Sequence, residues 1–309
     1  MSNDYTEHIN FNEKVHIFYI GFDLLDNGFA QDKVKFYDEL FKDIPSFAFG
    51  PMVSKDKFQS EGEVATIREA CRSLYAIPEI KLAQEKYLGS ADTEDKYIKR
   101  GEFGELILYH LLHEYFGADA LISKIYFKDS KNIPAHGFDA VHVDVDEQVL
   151  WLGESKLYKS GPNAIDELVK DVVGYIDKDG VKHGGHFSTD FFNSEFQIIT
   201  NRIHDSKYEY SDFVKTLINP NTKTLDKLAR INIALFAGFE SKVLKSYGTQ
   251  EFKTELTTEI NKLRNRANKG LASHPWINKL NLYLFLFPIE NKKELVLSLH
   301  NKLKGAQLL

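Results

Sequence analysis

The sequence predicts an α/β fold in which one sheet carries helices on its faces. From residue 96 onward the hydrophobic residues follow a helical period, then the two-residue period of three short strands, then a helical period and a further strand. That order, helix, three strands, helix, strand, is typical of a sheet packed against helices. The composition agrees, because 309 residues with 43% hydrophobic and 27% charged side chains can bury a sizeable core.

The N-terminal part of the chain predicts an additional α/β segment. Residues 15–21 are rich in β-branched and aromatic side chains and predict a strand, whereas residues 29–43 predict an amphipathic helix. Residues 61–88 predict one or two helices that break near Pro78.

A boundary is predicted within the polar and acidic stretch 89–95. We therefore divide the chain into a segment at 1–92, with partner docking as its candidate role, and a domain at 93–309. The elements predicted for this domain are a helix at 96–116, strands at 121–127, 138–145 and 149–156, a helix at 164–177, strands at 196–200, 231–236 and 280–287, and helices at 207–218, 251–268 and 291–304.

Composition also excludes several classes of protein. No apolar run approaches the about 20 residues of a membrane-spanning helix, and the N-terminus has no apolar region typical of a secretory signal. Cys71 is the single cysteine, which excludes an internal disulfide and a cysteine-based zinc site. These observations predict a cytoplasmic protein without membrane contact.

The charge is unevenly distributed along the chain. The net charge is −6, yet residues 207–309 contain 17 Lys and Arg against 9 Asp and Glu. A basic C-terminal third beside an acidic body fits a surface that faces phosphates, and it equally fits solvated helix surface. Charge alone favours the solvated surface.

The chemistry-bearing residues lie on two adjacent predicted strands. In GFDAVHVDV, alternation places Asp139 on the same face as the following valines. The next strand, VLWLGESK, ends in Glu154 and Lys156, which share one face. Gly153 before them permits close approach of another backbone. Two carboxylates and an ammonium group therefore converge at one end of a buried hairpin.

Such a cluster suits phosphodiester hydrolysis with a metal ion. Mg²⁺ takes oxygen ligands, and Asp139, Glu154 and the main-chain carbonyl of Ser155 would supply them. Lys156 would orient a water and stabilise developing negative charge. The alternative is a salt-bridge cluster that only sets strand register, and the two strands by themselves leave these interpretations about evenly balanced.

A carboxylate on the preceding predicted helix favours the catalytic interpretation. Glu105 lies on the apolar stripe of RGEFGELILYHLLHEYF, so it is expected to face the sheet and to reach a metal ion or the attacking water. Glu102, three residues earlier, is explained by the helix dipole alone.

Helix Glu, strand Asp, and then E-x-K at the end of the next strand resemble the PD-(D/E)xK nuclease superfamily, which has a restriction-endonuclease-like core. The family's proline is absent, because Phe138 precedes Asp139. A closer resemblance, to the HamA family of the Hachiman anti-phage defence system, covers most of the chain. The strings that carry it are RGEFGELILYHLL, ISKIYFKDSKNIPAHGFDAVH, WLGESKLY and LNLYLFLFPI.

This resemblance implies a metal-dependent nuclease that degrades DNA with little sequence specificity. It implies Asp139, Glu154 and Lys156 as the catalytic set, Glu105 as the helix carboxylate, and Mg²⁺, with Mn²⁺ as a substitute, as the cofactor. It also implies a partner, the superfamily 2 helicase HamB. A catalytically silent docking subunit and a structure-selective or RNA-directed nuclease are the alternatives.

Two further motifs carry weaker signals. The string Lys182–His186 contains two histidines, but no acidic or cysteine partner has convincing spacing for zinc, and a flexible glycine loop is the interpretation. A basic cluster on a predicted helix does not form a narrow stripe, so a solvated helix is favoured over a surface for DNA or a partner. The members of this cluster are Lys262, Arg264, Arg266 and Lys269.

Overall fold

A computed structural model of the chain describes residues 5–25, 28–75, 102–122, 137–204 and 209–308. It confirms the α/β fold, with one seven-stranded sheet flanked by helices. The strands are β1 (Thr6–Asn12), β2 (Val15–Ile20), β3 (Phe22–Leu25), β4 (Gly28–Gln31), β5 (Asp119–Ala120), β6 (Ala140–Asp144), β7 (Val149–Tyr158), β8 (Gly174–Ile176), β9 (Lys182–Gly184), β10 (Ile231–Glu240) and β11 (Asn281–Ile289).

The helices cover the sheet on both sides, and a short 3₁₀ helix spans Val243–Ser246. None of the helices in the described ranges is long and apolar enough to cross a membrane. The helices are α1 (Lys33–Phe49), α2 (Pro51–Glu61), α3 (Glu63–Tyr75), α4 (Glu102–Phe116), α5 (Gly161–Val173), α6 (Thr189–His204), α7 (Asp212–Ile218), α8 (Thr224–Leu228), α9 (Phe252–Leu271) and α10 (Lys292–Leu308).

The main sheet has the strand order β1-β2-β11-β10-β7-β6-β5. Its four middle strands run parallel, whereas β1, β6 and β5 pair antiparallel at the two sides. Parallel strands are covered on both faces, which explains why β10 and β11 are nearly continuous apolar runs. Strands β1 and β2 of the N-terminal segment thus lie in the same sheet as the strands of the C-terminal domain.

Two hydrophobic cores lie on opposite faces of this sheet. One core contains residues of α5, α6, α7 and α9 together with Leu150 and Leu152 of β7. The other contains residues of α1, α4 and α10 together with Trp151 and Leu157 of the same strand. Even-numbered and odd-numbered residues of β7 therefore face different cores, as strand geometry requires.

Most of the predicted elements are confirmed to within five residues at their ends. The strand at 15–21, the two strands at 138–145 and 149–156, and the C-terminal pair at 280–287 and 291–304 are all present. Helices predicted at 164–177, 207–218 and 251–268 are present as α5, α7 and α9, and the strand at 231–236 extends to Glu240.

The strand predicted at 196–200 is wrong, because these residues form the middle of helix α6. The buried residues Phe192, Phe196, Ile199 and Ile203 recur at intervals of three and four, which is the helical period. A short apolar run by itself does not distinguish a strand from a buried helix. The strand that follows α5 in the main sheet is therefore β10, after a small hairpin and three helices.

Three other predictions change in detail. The helix predicted at 29–43 begins at Lys33, because residues up to Gln31 pair with β3 in a small hairpin. Of the strand predicted at 121–127, residues 121–122 form a bend and the remainder lies outside the described residues; the strand is Asp119–Ala120. Pro78 and the boundary at 89–95 also lie outside the described residues, so the division at 92 stays a prediction.

Candidate functional site

Glu154 lies in the second half of β7, the strand between β6 and β10, one residue beyond the last pair with β6. Its side chain is 2% exposed, and its neighbours on the same face include Leu150 and Leu152 of the hydrophobic core. Gly153 permits this arrangement, because a Cβ atom there would lie 2.7 Å from Cδ2 of Leu108 on α4. The sequence predicts close approach of another backbone at Gly153, but the groups that approach it are the side chains of Leu108 and Ala140.

Asp139 lies immediately before β6 and faces Ser155 in the second half of β7. Its Oδ2 accepts a hydrogen bond of 2.9 Å from the backbone N–H of Ser155. In an extended strand the N–H and C=O of one residue point to the same side, so the Ser155 carbonyl points towards Asp139 as well. The structure thus brings Asp139 and the Ser155 main chain together, as the sequence predicts.

Lys156 projects from the same face of β7 as Glu154 and forms an ion pair with Asp171. The distance from Nζ to Oδ2 is 2.5 Å, and each side chain is about a quarter exposed, at 23% and 24%. Asp171 lies on α5, which begins directly after β7 because the Ser160 side chain accepts a hydrogen bond from Asn163 N. The buried stripe of α5 then packs on the sheet and holds Asp171 over Lys156.

His186 contacts Glu154 from the opposite side of this cluster. The distance between His186 Nδ1 and Glu154 Oε1 is 2.5 Å. The hairpin formed by β8 and β9 folds back onto the end of α5, and the His186 N–H donates to the Asp171 carbonyl. Gly185 is required for this, since a Cβ atom there would lie 2.1 Å from the Val172 carbonyl oxygen. Residues 182–184 therefore form strand β9, and His186 contacts the site residue Glu154. The interpretation of this string as a flexible loop is wrong.

Aromatic packing holds His186 in place. Its ring lies edge-on to Phe138 with the ring centroids 5.8 Å apart, and the next residue, Phe187, is fully buried against the same Phe138 ring. Phe138 occupies the position where the PD-(D/E)xK pattern has proline. The residue before Asp139 thus links the loop that carries this carboxylate to the hairpin that carries His186.

The pKa values of three groups in this cluster are raised. Burial raises the pKa of Glu154 to about 7; the hydrogen bond from His186 opposes this rise, and the charges of Asp139 and Asp171 add to it. Burial lowers the pKa of His186, but the hydrogen bond to Glu154 and the charges of Glu154 and Asp171 together outweigh burial, so the net shift is upward. The pKa of Lys156 is likewise raised, because Asp171 and the neighbouring carboxylates outweigh its burial.

Glu105 reaches the site from the other face of the sheet. Helix α4 packs against the face that carries Gly153, whereas Glu154 and Lys156 project from the opposite face. Glu105 and Asp139 line one small pocket at the edge between these faces. The prediction that Glu105 faces the sheet is confirmed, and Asp139 is the member of the set that it approaches.

The donor atoms suit a hard divalent cation. Asp139 and Glu154 lie close to each other beside the main chain of Ser155, and Mg²⁺ is typically held by one or two carboxylates together with water and substrate phosphate. Burial is the main cause of the raised pKa of Glu154 and the charge of Asp139 adds to it, so a bound cation would favour the ionised carboxylate. Within the described ranges, no group of three or more His, Cys, Asp or Glu side chains is placed to hold a metal ion.

Asp171 and His186 are site residues that sequence reasoning missed. Asp171 lies three residues after Leu168 beside the buried stripe of α5. A carboxylate at such a position needs a partner, so the sequence could have indicated Asp171 as a site residue. His186 has no comparable periodic signal, because its position depends on how the hairpin docks. The neighbouring His183 does not join the cluster and instead contacts Asp177 on the hairpin.

Comparison with known proteins gives one match. A family model described as HamA matches residues 1–303 of the chain. No curated protein matches, and no solved structure matches.

Proposed function

Because the chain belongs to the HamA family of Hachiman anti-phage defence proteins, we propose that it is the nuclease of this system. Its reaction would be metal-dependent hydrolysis of phosphodiester bonds in DNA with little sequence specificity. The observation that carries the proposal is the convergence of Asp139, Glu154 and Lys156 where β7 extends past the end of β6. A cluster with a role only in stability has little use for three charges on a buried strand.

The proposed roles follow from the positions of the side chains. Asp139, Glu154 and the Ser155 carbonyl would hold a Mg²⁺ ion, with Glu105 as a further carboxylate near Asp139. When bound, the ion would polarise the scissile phosphate and lower the pKa of a water. The Lys156 ammonium would orient the attacking water and stabilise negative charge as it develops on the phosphate.

Two neighbours act as positioning residues in this proposal. Asp171 holds the Lys156 ammonium by an ion pair, which fixes a long flexible side chain at one place. His186 holds Glu154 Oε1 and thereby sets the orientation of the buried carboxylate. Both residues come from segments that follow β7, so the docking of α5 and of the β8–β9 hairpin determines the geometry of the site.

Partner binding belongs to the same proposal. We infer that the superfamily 2 helicase HamB is the partner and that it delivers DNA, which agrees with the net charge of −6 on this chain. The segment at 1–92 remains the candidate docking region. Unchanged capture of the helicase in a pull-down after loss of this segment would contradict that role.

The nuclease proposal is tested with linear duplex, supercoiled and single-stranded DNA and with RNA, in the presence of Mg²⁺, Mn²⁺ or EDTA. Two variants, Glu154→Gln and Lys156→Met, are each expected to reduce degradation at least 100-fold, a magnitude typical for the loss of one catalytic group. The matched controls are Glu167→Gln and Lys170→Met, which break a surface pair on α5 and leave the site intact.

Degradation that persists in both site variants would contradict the assignment of the site. If the wild-type chain alone is inactive, the assay is repeated with HamB and ATP. Continued inactivity in that complex would favour the silent docking subunit. Preference for RNA over every DNA substrate would favour an RNA-directed nuclease with the same residues.

A further inference from the structure

A cavity of about 580 Å³ lies apart from the proposed active site, and none of the four predicted catalytic residues lines it. It is enclosed by the β1–β2 turn, the beginning of β11, helix α9 and the segment that follows α9. Its apolar floor includes Val15, Leu284 and Leu235, which pair in one row across β2, β11 and β10. The volume is in the range of about 300–1,000 Å³ that is usual for small-molecule sites.

Two cations line this cavity, Lys14 and Arg264, and no acidic residue does. Neither cation forms an ion pair with a carboxylate of the described chain. The Arg264 guanidinium lies over the Phe11 ring at 5.7 Å, and its Nε is buried without a hydrogen-bond acceptor. A water molecule or an anion can accept a hydrogen bond from this buried Nε–H. An anion would in addition neutralise the two cations that line the cavity.

The remaining polar groups of the cavity are amides. Asn12, Asn268 and Asn278 also line the cavity. An amide side chain both donates and accepts, so these groups suit the mixed edge of a heterocyclic base or the hydroxyls of a sugar. The two cations, the amides and the apolar floor of the cavity match the phosphate, the polar edges and the base plane of a nucleotide.

Only one member of the basic cluster on α9 lines this cavity, and the other three lie on the surface. Arg266 forms two hydrogen bonds to the carboxylate of Asp166 on α5, at 2.5 and 2.7 Å, and is thus neutralised on the surface. Lys262 and Lys269 are exposed to solvent. Arg264 is the member of the cluster that lines the cavity. The interpretation of the whole cluster as solvated helix therefore does not hold for Arg264.

We propose that this cavity binds a phosphate-bearing ligand of nucleotide size. The phosphate contacts Arg264 and Lys14, and the base lies against the apolar floor. The ligand is either a free mononucleotide or one nucleotide of a nucleic-acid strand, since both present the same chemistry. Guanidinium and ammonium groups bind phosphate well, and an aromatic ring behind the guanidinium keeps it in place. This site is independent of the proposed nuclease activity.

The test is a binding measurement by calorimetry on the full chain in EDTA, so that metal at the other site does not contribute. The probes are the four 5′-deoxynucleoside monophosphates, the matching deoxynucleosides, and a short single-stranded DNA with and without a 5′-phosphate. At least one monophosphate is expected to bind at least tenfold more tightly than its deoxynucleoside. Arg264→Gln is expected to weaken this binding at least tenfold.

Lys262→Gln is the matched control, because it removes one charge from the same helix outside the cavity, and its affinity should equal that of the wild type. Lys14→Gln provides a second variant on an exposed residue, in case Arg264→Gln perturbs folding. Arg264-dependent binding of the DNA strand alone would identify a strand as the source of the nucleotide. Equal affinities in Arg264→Gln, Lys14→Gln and Lys262→Gln, or no binding of any probe at millimolar concentration, would overturn the proposal.

Discussion

Glu154 on the central strand and His186 at the base of the β8–β9 hairpin are joined by a contact of 2.5 Å between Oε1 and Nδ1. The two residues are 32 positions apart in the chain. Glu154 is fully buried in the sheet, whereas His186 arrives with a hairpin that docks on the end of α5. The orientation of the buried carboxylate therefore depends on a small peripheral element.

Replacement of His186 by alanine is expected to reduce nuclease activity at least tenfold and to move the acidic limb of the pH profile to higher pH. The hydrogen bond from His186 lowers the pKa of Glu154, so its loss raises that pKa and the carboxylate ionises later as pH increases. The measurement is the rate of DNA degradation between pH 5 and 9.

His183→Ala is the matched control on the same hairpin, because His183 contacts Asp177 on the hairpin and not Glu154. Its rate and pH profile should equal those of the wild type. A His186→Ala protein with reduced activity but an unchanged pH profile would show that His186 serves the fold alone.

Removal of the Asp171 charge is expected to disable Lys156 without removing it. Asp171→Asn should reduce activity at least tenfold and lower the free energy of unfolding by about 1–3 kcal/mol, between the values for exposed and fully buried ion pairs. Adding Asp171→Asn to Lys156→Met should cause little further loss of activity, since both changes act on the same group. The test is to measure the rate of DNA degradation and the free energy of unfolding in urea for the wild type, the two single variants and the double variant.

Asp166→Asn is the control for that cycle. It removes another carboxylate of α5, one that pairs with Arg266 at the surface. We expect it to cost less than about 1 kcal/mol in stability and to leave the rate unchanged. Fully additive effects of Asp171→Asn and Lys156→Met on the rate would contradict the positioning role.

Gly185→Ala is expected to displace the β8–β9 hairpin. The new Cβ atom would lie 2.1 Å from the Val172 carbonyl oxygen, so the backbone must shift, and overpacking of this kind costs about 1–3 kcal/mol. Activity should fall by about as much as in His186→Ala, because His186 follows Gly185 directly and would lose its position beside Glu154. Gly305→Ala on α10 meets no atom within 4 Å and should be neutral or stabilising. Thermal unfolding and the degradation rate measure both variants.

The stability of the protein is expected to fall as pH decreases below about 6.5. Burial lowers the pKa of His142 to about 4, while in the unfolded chain it is 6.5. Between these values the unfolded chain binds a proton that the folded protein excludes, so acidification favours unfolding. Between pH 7.5 and 5 this residue should remove about 2 kcal/mol from the free energy of unfolding.

His142→Asn isolates this contribution, because the amide can donate to the Ala118 carbonyl as Nδ1 does and does not titrate. Urea unfolding at both pH values should show the pH dependence reduced by about 2 kcal/mol relative to the wild type. An unchanged pH dependence would mean that His142 is protonated in the folded protein.

The fold is largely predictable from the sequence. The predictions that were wrong share one physical cause. Long periodic segments such as α9 and β11 are recognised because their pattern extends over several turns or residue pairs. The run at 196–200 is too short for its period to be recognised, and the helical alignment of Phe192 with Ile203 becomes evident only over the full length of α6. Short elements at the sheet edge, such as β5, depend on pairing partners rather than on their own composition.

The sequence by itself determined which side chains share a face. Strand alternation placed Glu154 and Lys156 together at the end of a buried strand, and the helical period turned Glu105 towards the sheet, because both periods are local properties of the backbone. Only the tertiary structure decided what these groups contact. Asp171 and His186 reach the cluster through the packing of α5 and the docking of the hairpin on it. Those contacts depend on distances between elements, which no local period encodes.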